Sequence, residues 1–152
     1  MQSTPDISVV VPLYNEAESL PELVEWIDRV AADNRLSYEL LLIDDGSDDA
    51  SWATIMQLKE RFAAIRAIGF ARNYGKSAAL YCGFAAARGE VVFTMDADLQ
   101  DSPDEIPAMR RMILDEGYDL VSGWKRKRHD PAGKRLPSRF FNWTARAVSG
   151  IR

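Results

Sequence analysis

The chain has 152 residues, which is enough for one domain with a substantial core but too few for two. Hydrophobic residues make up 47% of it and charged residues 28%, a balance typical of soluble globular proteins that argues against a disordered chain. The formal net charge of -4 argues against a nucleic-acid partner, and the single cysteine, Cys82, excludes an internal disulfide framework.

Five short apolar runs predict β-strands along the chain. They cover residues 7–12, 38–44, 65–70, 90–95 and 119–123. Most of these runs are continuously apolar, which is typical of parallel strands that are covered on both faces. Because helical patterns lie between them, the sequence predicts an α/β fold with a Rossmann-like, doubly wound, mostly parallel sheet flanked by helices.

Four helices are predicted between the strands. Ser19 and Glu22 form a capping-box pattern at the start of the first helix. Gly89 is a candidate C′ glycine that ends the third, and Ser102 with Glu105 marks the start of the fourth. The predicted spans are from Ser19 to about Val30, about 50–62, about 75–88, and Ser102 to Gly117.

Polar clusters follow four of the predicted strands. They read "PLYNE" (12–16), "DDGSDD" (44–49), "ARNYGK" (71–76) and "DADLQD" (96–101). Ligands of open α/β sheets bind beyond the carboxyl ends of the strands, so these clusters predict one ligand site at one sheet edge. The chain lacks the G-x-G-x-x-G and Walker A patterns, which argues against dinucleotide oxidoreductases and P-loop NTPases.

The last cluster predicts a metal site. In an extended segment, Asp96, Asp98 and Gln100 fall on the same side of the chain. Their oxygens are hard ligands that suit Mg²⁺ or Mn²⁺, and such ions also bind phosphate oxygens. The alternative is a solvated acidic turn that leads into the Ser102 cap, and Asp101 is assigned to that turn.

The second cluster predicts a nucleotide contact. Asp44 or Asp45, at the end of the second strand, can accept hydrogen bonds from ribose hydroxyls or from a base N–H. Asp48 and Asp49 have a structural interpretation, because acidic residues are favourable in the first turn of a helix.

The other two clusters are weaker indicators. Pro12 is rigid, Tyr14 can pack near a base, and Glu16 adds a carboxylate, although turn residues of this kind are common after strands. Arg72 and Lys76 lie at a strand-to-helix turn, where cations and backbone N–H groups suit phosphate.

Basic residues crowd the last thirty positions and precede an aromatic segment. The segment 138–152 has apolar residues at helical spacing with flanking arginines. It fits a membrane interface and docking on the sheet equally well. His129 is the only histidine, and no Ser/His/Asp arrangement can be built from it.

The order of these motifs resembles the family 2 glycosyltransferases with a GT-A fold. The motifs are "VVVPLYNE", "LLIDDGSDD", "ARNYGKSAAL", "MDADLQDSPDEIP" and "YDLVSGWKRKRHD", and the match runs from about residue 7 to the end. Within the family the chain is most similar to the polyprenyl-phosphate glycosyltransferases. This implies an incomplete nucleotide-sugar-binding GT-A catalytic domain over 1–137, followed by the amphipathic helix 138–152.

The resemblance implies an inverting transfer of a hexose from a nucleotide diphosphate sugar to a polyprenyl phosphate. The sequence Gly123-Trp124-Lys125 is similar to the one found in the bacterial glucosyltransferase branch, and this similarity favours UDP-glucose over GDP-mannose as the donor. Two alternatives stay open: a family 2 transferase with a soluble sugar acceptor, and a nucleotide-binding domain without catalysis.

The resemblance also implies residue roles. Asp96, Asp98 and Gln100 match the metal-binding motif, and Asp98 and Lys125 are the expected catalytic residues. The acceptor phosphate is expected to contact Lys125, Lys134 and Ser138. Together with the residues assigned from the local patterns, the expected nucleotide contacts are Pro12, Tyr14, Glu16, Asp44, Asp45, Arg72, Lys76 and Asp96.

The expected location of the intact protein is the cytoplasmic face of the cell membrane, in contact with its surface. The chain itself is expected to be soluble, because no apolar stretch approaches the ~20 residues that a bilayer crossing needs. Family members continue beyond the position of Arg152, so a C-terminally truncated domain is expected. Its open sheet edge favours homo-oligomerisation.

Overall fold

The computed structural model describes residues 4–123, and those up to Val121 form one compact unit. Four parallel strands lie in the order β3-β2-β1-β4. This confirms the predicted parallel α/β sheet with flanking helices. The elements are β1 (Ile7–Leu13), α1 (Leu20–Asp33), β2 (Tyr38–Asp44), α2 (Ser51–Arg61), β3 (Ile65–Gly69), α3 (Lys76–Ala86), β4 (Val91–Thr94), a 3₁₀ turn (Pro103–Glu105) and α4 (Ile106–Leu114).

Strand β1 is the centre of the core. It pairs with β2 on one side and with β4 on the other, and all seven of its residues are buried. Val9 and Val11 belong to the larger apolar cluster, which α1 and α2 cover. Val10 faces the other side of the sheet, where Ala79 of α3 packs against it. Burial on both faces explains why the β1 sequence is continuously apolar.

A buried carboxylate joins the strands at their amino-terminal ends. Glu39 of β2 is 3% exposed and accepts hydrogen bonds from Ser8 Oγ at 2.6 Å and from Arg66 Nη1 at 2.8 Å. The Arg88 backbone N–H and guanidinium also donate to it, at 2.6 and 3.0 Å. Burial raises the pKa of Glu39, but these donors outweigh burial and lower it to about 2.

The prediction of a fifth strand is wrong, since this strand does not form in the part of the chain that the structure describes. Positions 119–123 do not form a strand, and Leu120 is 85% exposed. The run has only Leu120 and Val121 as apolar residues between Asp119 and Ser122. It therefore buries too little apolar surface to hold a further strand on the sheet.

Two predicted helix signals are also wrong. Ser19 has helical backbone angles, and its hydroxyl donates to the Glu16 carboxylate at 3.0 Å instead of capping α1. Gly89 is not a C′ glycine, because α3 ends at Ala86 and Ala87 is extended. A Cβ on Gly89 would lie 2.4 Å from the Ser8 backbone nitrogen, so the close approach of this loop to β1 requires glycine.

The fourth predicted helix is interrupted at its start. Ser102 precedes a 3₁₀ turn, makes no side-chain cap hydrogen bond, and the α-helix begins only at Ile106. Gly117 follows the helix with φ 75°, as expected of a residue that turns the chain there. In the described part of the chain, no helix has both the length and the apolar character of a membrane-spanning segment.

Candidate active site

A cleft of about 420 Å³ opens at the carboxyl ends of the strands. The strand order places β2 on one side of β1 and β4 on the other, so the topology reverses beside β1, where α/β sheets bind ligands. Segments that follow all four strands reach the cleft, as the sequence predicted. The lining residues are Pro12, Leu13, Tyr14, Glu16, Asp45, Asn73, Gly75, Lys76, Asp96, Ala97 and Asp98.

The loop after β1 is clamped to the loop after β2. Asn15, at φ 57°, donates its backbone N–H to Ser47 Oγ at 2.9 Å. Its side-chain amide donates to the Asp48 carboxylate at 2.7 Å and accepts the Asp48 backbone N–H at 3.0 Å. These bonds hold the loop in a conformation in which Tyr14 lines the cleft and is 44% exposed.

Asp49 has the structural role that the sequence allowed for it. Its carboxylate accepts the backbone N–H groups of Ser51, the first residue of α2, at 2.8 Å and of Ala17 at 3.4 Å. The hydrogen bond with the Ser51 side chain is the largest cause of a lowered pKa at Asp49, and the Ser51 backbone N–H lowers this pKa further. Ser51 Oγ in turn accepts the Glu16 N–H at 2.9 Å, so this contact also fixes the cleft residue Glu16.

Asp44 and Asp45 are both buried but face different partners. Asp44 accepts the Ser47 N–H at 2.9 Å and the Ser47 hydroxyl at 2.5 Å, and it does not line the cleft. Asp45 lines the cleft and accepts the backbone N–H groups of Tyr74 at 2.7 Å and of Gly75 at 2.9 Å. Of the two carboxylates that the sequence left open, the geometry favours Asp45 as a ligand contact.

The start of α3 brings a lysine to the cleft. Gly75, at φ 96°, turns the chain into the helix, and the ammonium of Lys76 contacts Asp96 Oδ1 in an ion pair. The sequence assigned Lys76 to phosphate and Asp96 to metal, and the structure brings the two together. Arg72 does not line the cleft, and its guanidinium lies 4.9 Å from the centre of the Tyr74 ring.

The acidic segment after β4 turns instead of continuing as an extended chain. Leu99 has φ 60°, and Asp98 Oδ1 accepts the Gln100 N–H at 3.1 Å. The Asp96 N–H donates to Asp101 Oδ2 at 3.0 Å, in keeping with the structural role predicted for Asp101. Asp96 and Asp98 line the cleft and Gln100 does not, so the prediction that all three share one side is wrong.

The donor set at this turn fits a cation that also binds a ligand. Within residues 4–123, no group of three or more His, Cys, Asp or Glu side chains is placed to enclose a metal ion. Two carboxylates of this turn, Asp96 and Asp98, line the cleft. Mg²⁺ is commonly held by one or two carboxylates together with substrate phosphates and water. The residues present therefore suit an ion shared with a phosphate better than an all-protein metal cage.

Sequence reasoning missed four residues that line the cleft: Leu13, Asn73, Gly75 and Ala97. Asn73 and Gly75 line the cleft, and Gly46 supports them. Gly46 has φ 73°, and a Cβ there would lie 2.3 Å from the Arg72 carbonyl carbon. The sequence signals that could have indicated Gly46 and Gly75 were the glycines that end "DDG" (44–46) and "NYG" (73–75). The predicted residues Lys125, Lys134 and Ser138 and the predicted helix 138–152 lie outside the described residues.

Comparison with known families and proteins gives a consistent result. The family described as "Glycosyl transferase family 2" matches residues 8–149. Undecaprenyl-phosphate 4-deoxy-4-formamido-L-arabinose transferase of Pseudomonas aeruginosa PAO1 is 40% identical over 146 residues. The same enzyme of Pseudomonas fluorescens SBW25 is 41% identical over 150 residues. The matches cover 95% of this chain but only 43% and 42% of those proteins, so the chain spans less than half their length.

Solved structures share the fold. The mannosyltransferase PcManGT from Pyrobaculum calidifontis, in complex with GDP-Man and Mn²⁺, matches with a TM-score of 0.61 and 26% identity over 73% of this chain and 33% of that one. S. aureus TarS 1-349 matches with a TM-score of 0.65 and 20% identity over 83% of this chain and 38% of that one, which shows the fold alone.

Proposed function

The chain belongs to glycosyl transferase family 2, and from this premise we propose that it is the nucleotide-sugar-binding part of an inverting, metal-dependent glycosyltransferase. The proposed acceptor is a polyprenyl phosphate. The observation that carries the proposal is that Asp96, Asp98 and Lys76 share one cleft beside β1, where the sheet topology reverses. Two carboxylates and a lysine at this point suit a divalent cation and a diphosphate.

The nucleotide is proposed to lie along the β1 and β2 side of the cleft. Tyr14 presents a half-exposed ring next to Pro12, which offers an aromatic surface for a base. Glu16 and Asp45 supply carboxylate oxygens for ribose hydroxyls or a base N–H. Asp44, whose carboxylate is bound by Ser47, is proposed to hold this loop in place.

The diphosphate is proposed to lie on the β4 side. Asp96 and Asp98 would hold Mg²⁺ or Mn²⁺, which neutralises charge on a leaving diphosphate. Lys76, which lines the cleft, and the first N–H groups of α3 are proposed to contact phosphate oxygens. Gln100 and Arg72 do not line the cleft, so they are the weaker candidates for these roles.

The acceptor proposal is supported by the Pseudomonas relatives, which are named as undecaprenyl-phosphate transferases. A phosphate monoester is already anionic near neutral pH, so its oxygen can attack the anomeric carbon without a strong general base. The protein's part is then to position the two substrates and to stabilise the leaving diphosphate. Lys125, Lys134 and Ser138 remain the proposed contacts of the acceptor phosphate, at a membrane surface.

The identity of the transferred sugar is the most specific part of the proposal. The sequence favoured a hexose, glucose, whereas the Pseudomonas relatives are named for 4-deoxy-4-formamido-L-arabinose, which is a pentose. We therefore propose UDP-linked 4-deoxy-4-formamido-L-arabinose as the first donor to test and UDP-glucose as the second. GDP-mannose is the third, because PcManGT was solved with GDP-Man.

Binding calorimetry tests the nucleotide and metal parts. We expect UDP or GDP to bind with Mn²⁺ and to bind at least tenfold more weakly without it. Asp98→Asn should abolish the metal dependence, and Asp115→Asn, an exposed carboxylate at the end of α4, is the matched control. Nucleotide binding that ignores both Mn²⁺ and Asp98→Asn would contradict the proposal.

Lipid extraction tests the acceptor part. Full-length protein is incubated with each radiolabelled donor and with undecaprenyl phosphate, and the label in the lipid phase is counted. We expect label from one donor to enter the lipid phase. Transfer to a soluble sugar, with an unlabelled lipid phase, would instead support a family 2 enzyme with a soluble acceptor.

A further inference from the structure

We propose that Lys76 is a built-in competitor of the metal ion, so that a divalent cation binds this cleft tightly only together with a nucleotide diphosphate. The inference rests on the proposed function and goes beyond it, because it specifies how metal and nucleotide depend on each other. The juxtaposition that carries it is the ion pair between Lys76 and Asp96, formed on the same cleft surface as Asp98.

The two ends of this ion pair are held by different parts of the fold. Lys76 is the first residue of α3, and the backbone immediately before it is fixed by the two hydrogen bonds to buried Asp45. Asp96 follows β4, and its backbone N–H is held by Asp101 at 3.0 Å. The contact therefore joins two anchored segments, 20 residues apart in sequence, and does not depend on a free loop.

The ammonium and a divalent cation compete for the same carboxylate. Asp96 Oδ1 accepts the Lys76 hydrogen bond, and Asp98, two residues further along the chain, also lines the cleft. A cation that binds both carboxylates must displace the ammonium or lie within a few ångströms of it. Displacing the ammonium costs free energy because its ion pair with Asp96 must be broken. Leaving the ammonium in place costs free energy because it repels the metal cation. The side chains of the pair are 59% and 37% exposed, so solvent screening keeps the cost moderate.

A diphosphate removes this cost. Its negative oxygens can pair with the displaced ammonium, next to the N-terminal N–H groups of α3. Lys76 then opposes the metal alone and favours the metal bound with a diphosphate. The result is positive coupling between the two ligands, and coupling of binding free energies is reciprocal.

The test counts free Mn²⁺ by electron paramagnetic resonance during titration of the chain, alone and with saturating UDP or GDP. For Lys76→Met we expect Mn²⁺ alone to bind about twofold to fivefold more tightly than to wild type. The factor by which UDP or GDP enhances Mn²⁺ affinity should fall by at least the same amount. Lys76→Arg keeps the charge, so Mn²⁺ alone should bind more weakly to it than to Lys76→Met. Lys59→Met removes an exposed lysine of α2, outside the cleft lining, and is the matched control.

The outcomes separate the inference from the proposed function. Unchanged or weaker Mn²⁺ binding by Lys76→Met, while wild type binds Mn²⁺ with a nucleotide, would overturn the inference alone. Failure of wild type to bind Mn²⁺ with either nucleotide would overturn the proposed function and the inference with it. Circular dichroism confirms that each variant is folded, and Lys76→Gln repeats the measurement should the methionine variant not fold.

Discussion

Asp45 and Gly75 are 30 residues apart in sequence, yet the buried carboxylate of Asp45 accepts the Gly75 N–H at 2.9 Å. Its other oxygen accepts the Tyr74 N–H at 2.7 Å. The end of β2 thereby determines where α3 begins, and Lys76 is the next residue. One side chain thus places a proposed nucleotide contact and the lysine that faces the proposed metal site.

We expect Asp45→Asn to damage both stability and binding. The asparagine can accept one of the two backbone N–H groups, but its NH₂ group faces the other donor. A buried donor left without an acceptor costs about 1–3 kcal/mol of the free energy of unfolding. Urea unfolding measures this loss, and calorimetry with UDP and Mn²⁺ should show weaker binding. Asp115→Asn is the control, and a fully stable Asp45→Asn variant would contradict the positioning role.

The buried Glu39 network predicts a pH dependence of stability. The pKa of Glu39 is lowered from an ordinary value of 4.5 to about 2 in the folded chain. Its stabilising contribution is therefore complete above about pH 4.5, declines as the pH falls, and is lost near pH 2. The shift corresponds to about 3 kcal/mol at most.

Comparison with Glu39→Gln isolates this contribution. The variant keeps the shape of the side chain but cannot carry the charge that Arg66 and Arg88 bind. We expect wild type to be more stable at pH 7 and the difference to shrink between pH 4.5 and pH 3, as measured by urea unfolding. A difference that stays constant over this range would show that the charge of Glu39 does not stabilise the fold.

Gly89→Ala tests the close approach of the α3–β4 loop to β1. The added methyl would lie 2.4 Å from the Ser8 backbone nitrogen and 2.5 Å from the Ile7 carbonyl carbon, so the backbone must move. Overpacking of this kind costs about 1–3 kcal/mol, which thermal unfolding detects. Gly123→Ala is the matched control, since nothing lies within 4 Å of a Cβ there. Equal stability of the two variants would mean that the loop relaxes without cost.

The parallel sheet was predictable because its signal is local. The apolar runs of β1 and β2 mark strands that are covered on both faces, and the polar residues that follow them mark the ligand edge. Asp96 and Asp98 were predicted at the cleft for the same reason. The turn at Leu99 was not predicted, because a positive φ at a leucine is held by packing against distant core residues.

Long-range partners account for the other gaps. Glu39 looks like a surface residue in the sequence, and its burial depends on Arg66 and Arg88, which are 27 and 49 residues away. Ser19 matched a capping pattern, but its hydroxyl donates to the carboxylate of Glu16, whose backbone N–H is held by Ser51 Oγ, 35 residues further along the chain. Such choices are decided by tertiary contacts, which a local pattern does not contain.

Asn15 offers a test of how the loop after β1 holds Tyr14 in the cleft. Its φ of 57° suits asparagine or glycine, and its amide exchanges two hydrogen bonds with Asp48. Asn15→Gly keeps the backbone conformation but loses the amide, whereas Asn15→Ala loses the amide and also strains the backbone. We expect the free energy of unfolding, measured in urea, to fall by about 1 kcal/mol for Asn15→Gly and by about 2 kcal/mol for Asn15→Ala. Because both variants release the loop, UDP binding in the presence of Mn²⁺ should weaken in each. A glycine variant that binds UDP as wild type does would show that the Asp48 contact is not what holds Tyr14 in the cleft.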